Sequence, residues 1–194
     1  MIGFENTITP SAEQWKAVVM GARNPLNSWE RSDSVFGEKF SLGPNDLDLM
    51  TRLRNAGTDH RKFMRMLPVH VDITAPLYWY KEFDTYKVGT VANSCSTMHK
   101  IQAKEFTLDD FSCEHLNRNS MRVLEETIVA LNTERDNFLF SGNKYSWWQM
   151  IQLLPSSYNQ KRTVMLNYEV LANIYHSRKN HKLDEWHTFC DWIK

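Results

Sequence analysis

Two side chains near the end of the chain, Asn167 and Arg178, are of types that suit recognition of a small polar ligand. Asn167, Asn173 and Arg178 lie in a stretch with Val170, Leu171, Ile174 and Tyr175 at helical spacing. Asn167 falls where that helix begins. The free N–H groups of a first turn and the positive end of the helix dipole suit an anionic or carbonyl-bearing ligand. A plain N-cap accounts for the same residue. Arg178 ends the helix. It is either a basic residue answering the C-terminal dipole or a planar fork for a pyrimidine or a phosphate. A second stretch, Val69–His99, supplies the floor such a site needs. Val69, Val71 and Ile73 alternate with His70, Asp72 and Thr74, the pattern of a strand with one buried face. Thr74-Ala75-Pro76 reads as a helix start, with Thr74 as cap and Pro76 in the first turn. Leu77, Tyr78, Tyr80 and Phe83 carry that helix to about Tyr86, and after Gly89 a polar loop follows with Thr90, Asn93, Ser94, Ser96 and Thr97.

The order of these features resembles the flavin-dependent thymidylate synthases. That family has an H-x-x-x-x-E-H segment, a strand, Ala-Pro, and a helix running into R-H-R-x-x-S-x-N-x-x-S-x-R-Y. His60 stands where the first His stands, and Ala75-Pro76 follows at the family's distance. Further on the family has Leu-Pro, a strand, and an Asn-Asn-Arg series on one helix. Leu154-Pro155 and then Asn167, Asn173 and Arg178 meet that spacing without a gap. The signature itself reads Thr85-Tyr86-Lys87-Val88-Gly89-Thr90, with Lys87 for Arg and Thr90 for Ser the close matches. The Ser of S-x-R-Y falls on Cys95, or on Ser96 after a slip of one residue, and its Arg falls on Thr97. The Gln of the preceding helix is Glu82, the acidic residue of the signature is Asn93, and the Arg before Leu-Pro is Ile151.

The resemblance implies an α+β (mixed α/β) single domain over residues 1–194, a small antiparallel sheet with flanking helices. It implies a homotetramer with sites between subunits. The implied reaction is reductive methylation of dUMP to dTMP, with methylenetetrahydrofolate giving the carbon and reduced FAD the hydride, so that no protein nucleophile is required. Arg178 would hold and polarise the uracil as the catalytic residue. His60, Tyr86, Lys87, Val88, Asn93, Asn167 and Asn173 would contact the flavin; Glu82, Cys95, Ser96 and Thr97 would join Arg178 around the nucleotide. The turn at Arg23-Asn24-Pro25 would lie near the flavin. The departures weaken phosphate binding, since each lost Arg contact removes a charge-assisted bond worth about 1.5–3 kcal/mol. Lys87, Lys100, Arg162 and His99 are the candidate replacements. Two other readings stay open: a non-catalytic nucleotide- or flavin-binding homologue, and a helical interaction module.

Composition narrows the classes. The chain of 194 residues has 23 basic and 23 acidic side chains, so no global field favours nucleic acid or an anionic membrane. Cys95, Cys113 and Cys190 form no C-x-x-C pair, which leaves no metal knuckle or disulfide framework, and an odd count fits a reducing compartment such as the cytoplasm. No secretory signal or membrane-length apolar run is present. Cys95 with His99 is a local nucleophile-like pair lacking a third orienting group. His176, His181 and His187 have spacings that do not share one helix face.

Other elements follow from punctuation and period. Residues 1–9 read as an extended lead-in. A helix begins at Pro10-Ser11-Ala12 with Trp15, Val18 and Val19 inward and ends at Asn24-Pro25; residues 25–43 read as a loop. Pro44 opens a helix with Leu47, Met50 and Leu53 as its stripe, stopped near Gly57. Thr107–Asp110 resembles a capping box and predicts a helix over 107–115. A longer helix is expected over 119–137, then a buried one over Tyr145–Leu154. A strand is expected at 162–166, and a last helix over 182–193 with Leu183, Trp186, Cys190 and Ile193 inward.

Overall fold

The computed structural model describes all 194 residues. Four strands form one antiparallel sheet: β1 (Gly3–Ile8), β2 (Pro68–Pro76), β3 (Val91–Ser94) and β4 (Asn159–Asn167), in the order β1-β2-β4-β3. Seven helices flank it: α1 (Ala12–Arg23), α2 (Pro44–Asn55), α3 (Leu77–Phe83), α4 (Arg118–Ser141), α5 (Lys144–Leu153), α6 (Tyr168–Arg178) and α7 (Asp184–Ile193). The mixed α+β architecture expected from the sequence is present. No helix is long and apolar enough to cross a membrane.

The central strands carry the buried alternation: Val69, Val71 and Ile73 in β2, Val164 and Leu166 in β4. The edge strands do not. The extended lead-in is the strand β1, and the polar loop after Gly89 contains β3, whose four residues are all exposed. Backbone pairing with a neighbour makes these strands, and side-chain period gives no sign of it. Thr74 is not a cap, because β2 runs through Pro76 and α3 begins at Leu77. The first amides of α3 donate elsewhere, Leu77 N–H to the Tyr158 carbonyl at 3.0 Å and Tyr78 N–H to the Ser156 carbonyl at 2.9 Å. The box at Thr107 and Asp110 is formed, yet it closes only a single 3-10 turn at Leu108–Asp110. Phe111 then bridges to Tyr158 in extended conformation, which ends the expected helix. In α5 only Ser146 and Met150 are buried, and Tyr145 and Trp148 are exposed, so the buried helix expected there is a half-buried one.

The chain packs as two compact units. The first comprises Met1–Phe4, Ile73–Thr85 and Asn93–Thr163. Its core joins Leu124 and Leu131 of α4 to Met150 of α5, Ile101, Phe106 and Phe111. The second comprises Glu5–Asp72, Tyr86–Ala92 and Val164–Lys194. Val18 and Val19 of α1, Met50 of α2, and Phe63, Met64 and Leu67 fill its core.

A buried ion pair organises the second unit. Asp46, in the first turn of α2, is fully buried, and the Arg23 side chain at the end of α1 is almost so. Arg23 donates from Nε to Asp46 Oδ1 at 2.6 Å and from Nη1 to the Ser28 carbonyl at 3.2 Å. The other Asp46 oxygen accepts from the Ser32 and Ser34 hydroxyls at 2.7 and 2.6 Å and from the Asp33 and Ser34 amides. Asp33 in return accepts from the Asn45 and Asp46 amides at the start of α2. Residues 25–43, read as a loop, are thus tied to α2 by two carboxylates. Burial pushes the Asp46 carboxyl up, but the hydrogen bonds from Ser34, Ser32 and Arg23 and the Arg23 charge outweigh it, so its pKa lies below the ordinary value. Replacing Asp46 with Ala strands a buried guanidinium and should cost about 3–5 kcal/mol in a urea unfolding series. Because the folded pKa is depressed, the Asp46 contribution is complete above the unfolded carboxylate value of about 3.9 and fades as pH falls through the folded value. The stability gap between native protein and Asp46→Ala should therefore narrow in acid.

Candidate functional site

The strand-to-helix junction of β4 and α6 anchors the first group of candidate residues. Asn167 closes β4 in an extended conformation, and its side-chain oxygen accepts from Val170 N–H at 3.0 Å. The Tyr168 amide donates to the Leu67 carbonyl at 3.2 Å. Two of the first-turn donors that suggested an anion site are therefore taken by protein acceptors. The Asn167 amide nitrogen meets the Gly89 carbonyl at 3.5 Å. Gly89 has φ +79°, and a Cβ there would lie 2.6 Å from Asn167 Nδ2. A glycine is required on both counts. The loop Tyr86–Thr90 therefore lies against the start of α6.

The same loop is held at the other end of α6. Arg178 donates from Nε to the Tyr86 hydroxyl at 2.9 Å. Its guanidinium carbon stands 4.8 Å from the Trp186 ring centroid and 5.6 Å from that of Tyr86. Trp186 is fully buried in α7, with His181 edge-on against it. The Tyr86 hydroxyl and the Trp186 ring thus hold the guanidinium between them. The Tyr86 hydroxyl is an acceptor for Arg178. Trp186 faces inward as expected; its spacing of eight residues from Arg178 gave no sign that a turn folds α7 back onto the end of α6.

Asn173 is exposed on α6. At 3.6 residues per turn it is rotated roughly 120° from the line joining Asn167 and Arg178. His60, Lys87 and Val88 are also exposed in this unit, and Thr90 carries a buried hydroxyl with no hydrogen-bond partner. Near the start of α6, Glu169 pairs with Arg65 at 2.9 Å and with Arg61 at 3.6 Å.

The remaining candidates lie in the first unit. Cys95, Ser96 and Thr97 line a cleft of about 610 Å³ together with Lys104, Asp109, Asp110, Glu114 and Lys161. Lys104 is paired with Asp110 and the Met1 ammonium with Glu114, so the three cations and three carboxylates of the lining balance and no excess positive charge favours a phosphate. Ser96 Oγ accepts from the Met98 and His99 amides at 3.1 and 3.0 Å, closing a turn. Asn93 is exposed on β3, and Glu82 is half-buried on α3. Of the proposed replacement cations, Arg162 is committed: it pairs with Asp84 at 2.8 Å and lies 3.7 Å over the Tyr80 ring. Burial pushes the Tyr80 hydroxyl well above its ordinary pKa, with Arg162 opposing. Lys87, Lys100 and His99 remain exposed.

Solved structures share this arrangement of elements. The flavin-dependent thymidylate synthase of Helicobacter pylori, complexed with FAD and dUMP, superposes with a TM-score of 0.67 at 17% identity, over 98% of this chain and 90% of that one. The fold is that of the flavin-dependent thymidylate synthases. The UMP/dUMP methylase PolB of Streptomyces cacaoi, bound with 5-Br UMP, superposes with a TM-score of 0.54 at 12% identity, over 91% of this chain and 75% of that one. No protein-family model matches the sequence, and no curated protein matches it either.

Whether the residues suit the cofactor of such a fold depends on two parts of FAD. For a flat, hydrogen-bonding ring the second unit offers the exposed Asn173 amide, His60 and the unpartnered Thr90 hydroxyl. For a pyrophosphate it offers little: Arg178 is held by Tyr86 and Trp186, Arg61 and Arg65 share Glu169, and Lys87 is the exposed cation of the loop. Within one chain the residues do not fit the pyrophosphate of FAD. The close approach at Gly89 is directly testable. Gly89→Ala adds about 1–2 kcal/mol of left-handed strain and a contact with Asn167. Its melting temperature should fall by several degrees while an exposed control, Val88→Ala, stays within about 0.5 kcal/mol of the native protein.

Proposed function

We propose that the protein binds a pyrimidine nucleotide at Arg178 and catalyses reductive methylation of dUMP to dTMP, with FAD and methylenetetrahydrofolate, as a homotetramer whose sites lie between subunits. The observation that supports this most is the posture of Arg178. A guanidinium already held by the Tyr86 hydroxyl and the Trp186 ring loses little side-chain freedom on meeting a ligand, which favours uracil recognition over a loose ionic contact. Its place at the end of α6, in a fold whose solved examples hold dUMP, UMP analogues and FAD, gives that posture a ligand. Self-association belongs to the proposal because the cations beside Arg178 are engaged or few, with Arg61 and Arg65 on Glu169 and Lys87 the exposed one, and a neighbouring copy would add others.

The direct test is isothermal titration of the purified protein with dUMP in the presence of FAD, followed by detection of dTMP on adding methylenetetrahydrofolate and a reductant. Arg178→Ala should weaken dUMP binding about 10- to 150-fold, the equivalent of one charge-assisted bond of about 1.5–3 kcal/mol. A colourless protein with no heat of binding for FAD or dUMP defeats the proposal.

A second reading, nucleotide binding without turnover, draws on one observation. The positions that grip the flavin in the family are Thr85 and Tyr86, and Tyr86 is engaged with Arg178. Expression in a thymidine-requiring strain separates the two: growth without thymidine supports the synthase, whereas dUMP binding without growth supports the second reading.

A further inference from the structure

The second unit contains a cleft that none of the residues above explains. It has a volume of about 510 Å³, within the roughly 300–1,000 Å³ of small-molecule sites. Tyr168, Tyr175 and Trp192 supply three half-buried aromatic walls, and Leu171 and Met64 add aliphatic surface. On α6 the residues Tyr168, Leu171, Ala172 and Tyr175 share one face, and neither Asn167, Asn173 nor Arg178 lines the cleft.

Charge completes the description. The lining includes Arg54, His176 and Lys194 but no Asp or Glu side chain. Lys194 is paired with Asp191 at 3.0 Å and stands 5.8 Å from the Tyr175 ring centroid. Arg54, exposed near the end of α2, enters no ion pair or hydrogen bond through its side chain. A cleft with aromatic walls and an uncommitted guanidinium complements a ligand with a flat apolar body and a negative group.

We propose that this cleft binds a flat aromatic molecule carrying one anionic substituent, with the ring among Tyr168, Tyr175 and Trp192 and the anion on Arg54. The probe is 8-anilino-1-naphthalenesulfonate, with neutral N-phenyl-1-naphthylamine as its uncharged counterpart, each titrated by fluorescence into the full chain. A single saturating site is expected. Arg54→Gln should weaken the sulfonate about tenfold and leave the neutral probe within about twofold, as loss of one charge-assisted contact requires. Ala172→Phe should exclude both probes with an unchanged near-ultraviolet circular dichroism spectrum. Binding without saturation, or equal sulfonate affinity in native protein and Arg54→Gln, overturns the proposal. If Ala172→Phe does not fold, the Arg54→Gln comparison decides alone, since that exposed side chain makes no hydrogen bond or ion pair.

Discussion

The loop Tyr86–Thr90 is pinned to α6 at both ends, and the candidate ligand chemistry depends on that constraint. At one end a glycine in a left-handed conformation permits the carbonyl of Gly89 to approach Asn167. At the other, Tyr86 accepts from Arg178 while Trp186 supports the guanidinium from α7. One contact is a matter of space and the other of charge and polarisability. Together they turn a short irregular segment into a fixed surface without regular secondary structure. A segment secured by two unlike interactions yields only when both fail, which suits a binding surface better than a flexible loop does.

The Arg23–Asp46 pair does comparable work for residues 25–43. Buried ion pairs are weak sources of net stability, because desolvation offsets attraction. Their value here is specificity: Asp46 accepts from three side chains and two backbone amides, and alternatives that leave any of these donors unpaired are disfavoured. Gly43 reinforces the arrangement, since a Cβ there would stand 2.5 Å from the Asp33 backbone carbon. The segment has only two short 3-10 turns, Asn24–Leu26 and Trp29–Arg31, and the Val35–Ser41 bridge, yet it is tightly specified in hydrogen bonding.

Legibility in the sequence followed the strength of local periodicity. β2, α6 and α7 were readable because apolar residues recur at the period of the element and are buried there. β1 and β3 were not, since an edge strand is defined by what it pairs with. The capping box at Thr107 was read correctly and its helix was not, because the bridge from Phe111 to Tyr158 overrode the local signal. Asp46 looked like any acid in a helix first turn; its burial depends on Arg23, which lies 23 residues earlier. Arg178 was legible as a candidate through its match to the Asn-Asn-Arg series of the resembling family. Its partners Tyr86 and Trp186 were visible as residues, but the contact between them needed the path of the chain between α6 and α7. The charge balance of the cleft beside Cys95 was invisible for the same reason, as Asp109, Asp110 and Glu114 are distant in sequence from Thr97.

The short strand β3 carries a consequence for association. Its four residues are exposed, so side-chain burial does little to hold it in the sheet. Such a strand is the cheapest part of a sheet to peel away. When it detaches, the outer margin of β4 becomes a bare row of amides and carbonyls, open to any extended peptide of suitable register. Val91–Ser94 thus acts as a built-in cover over the one central strand whose far end leads into Asn167.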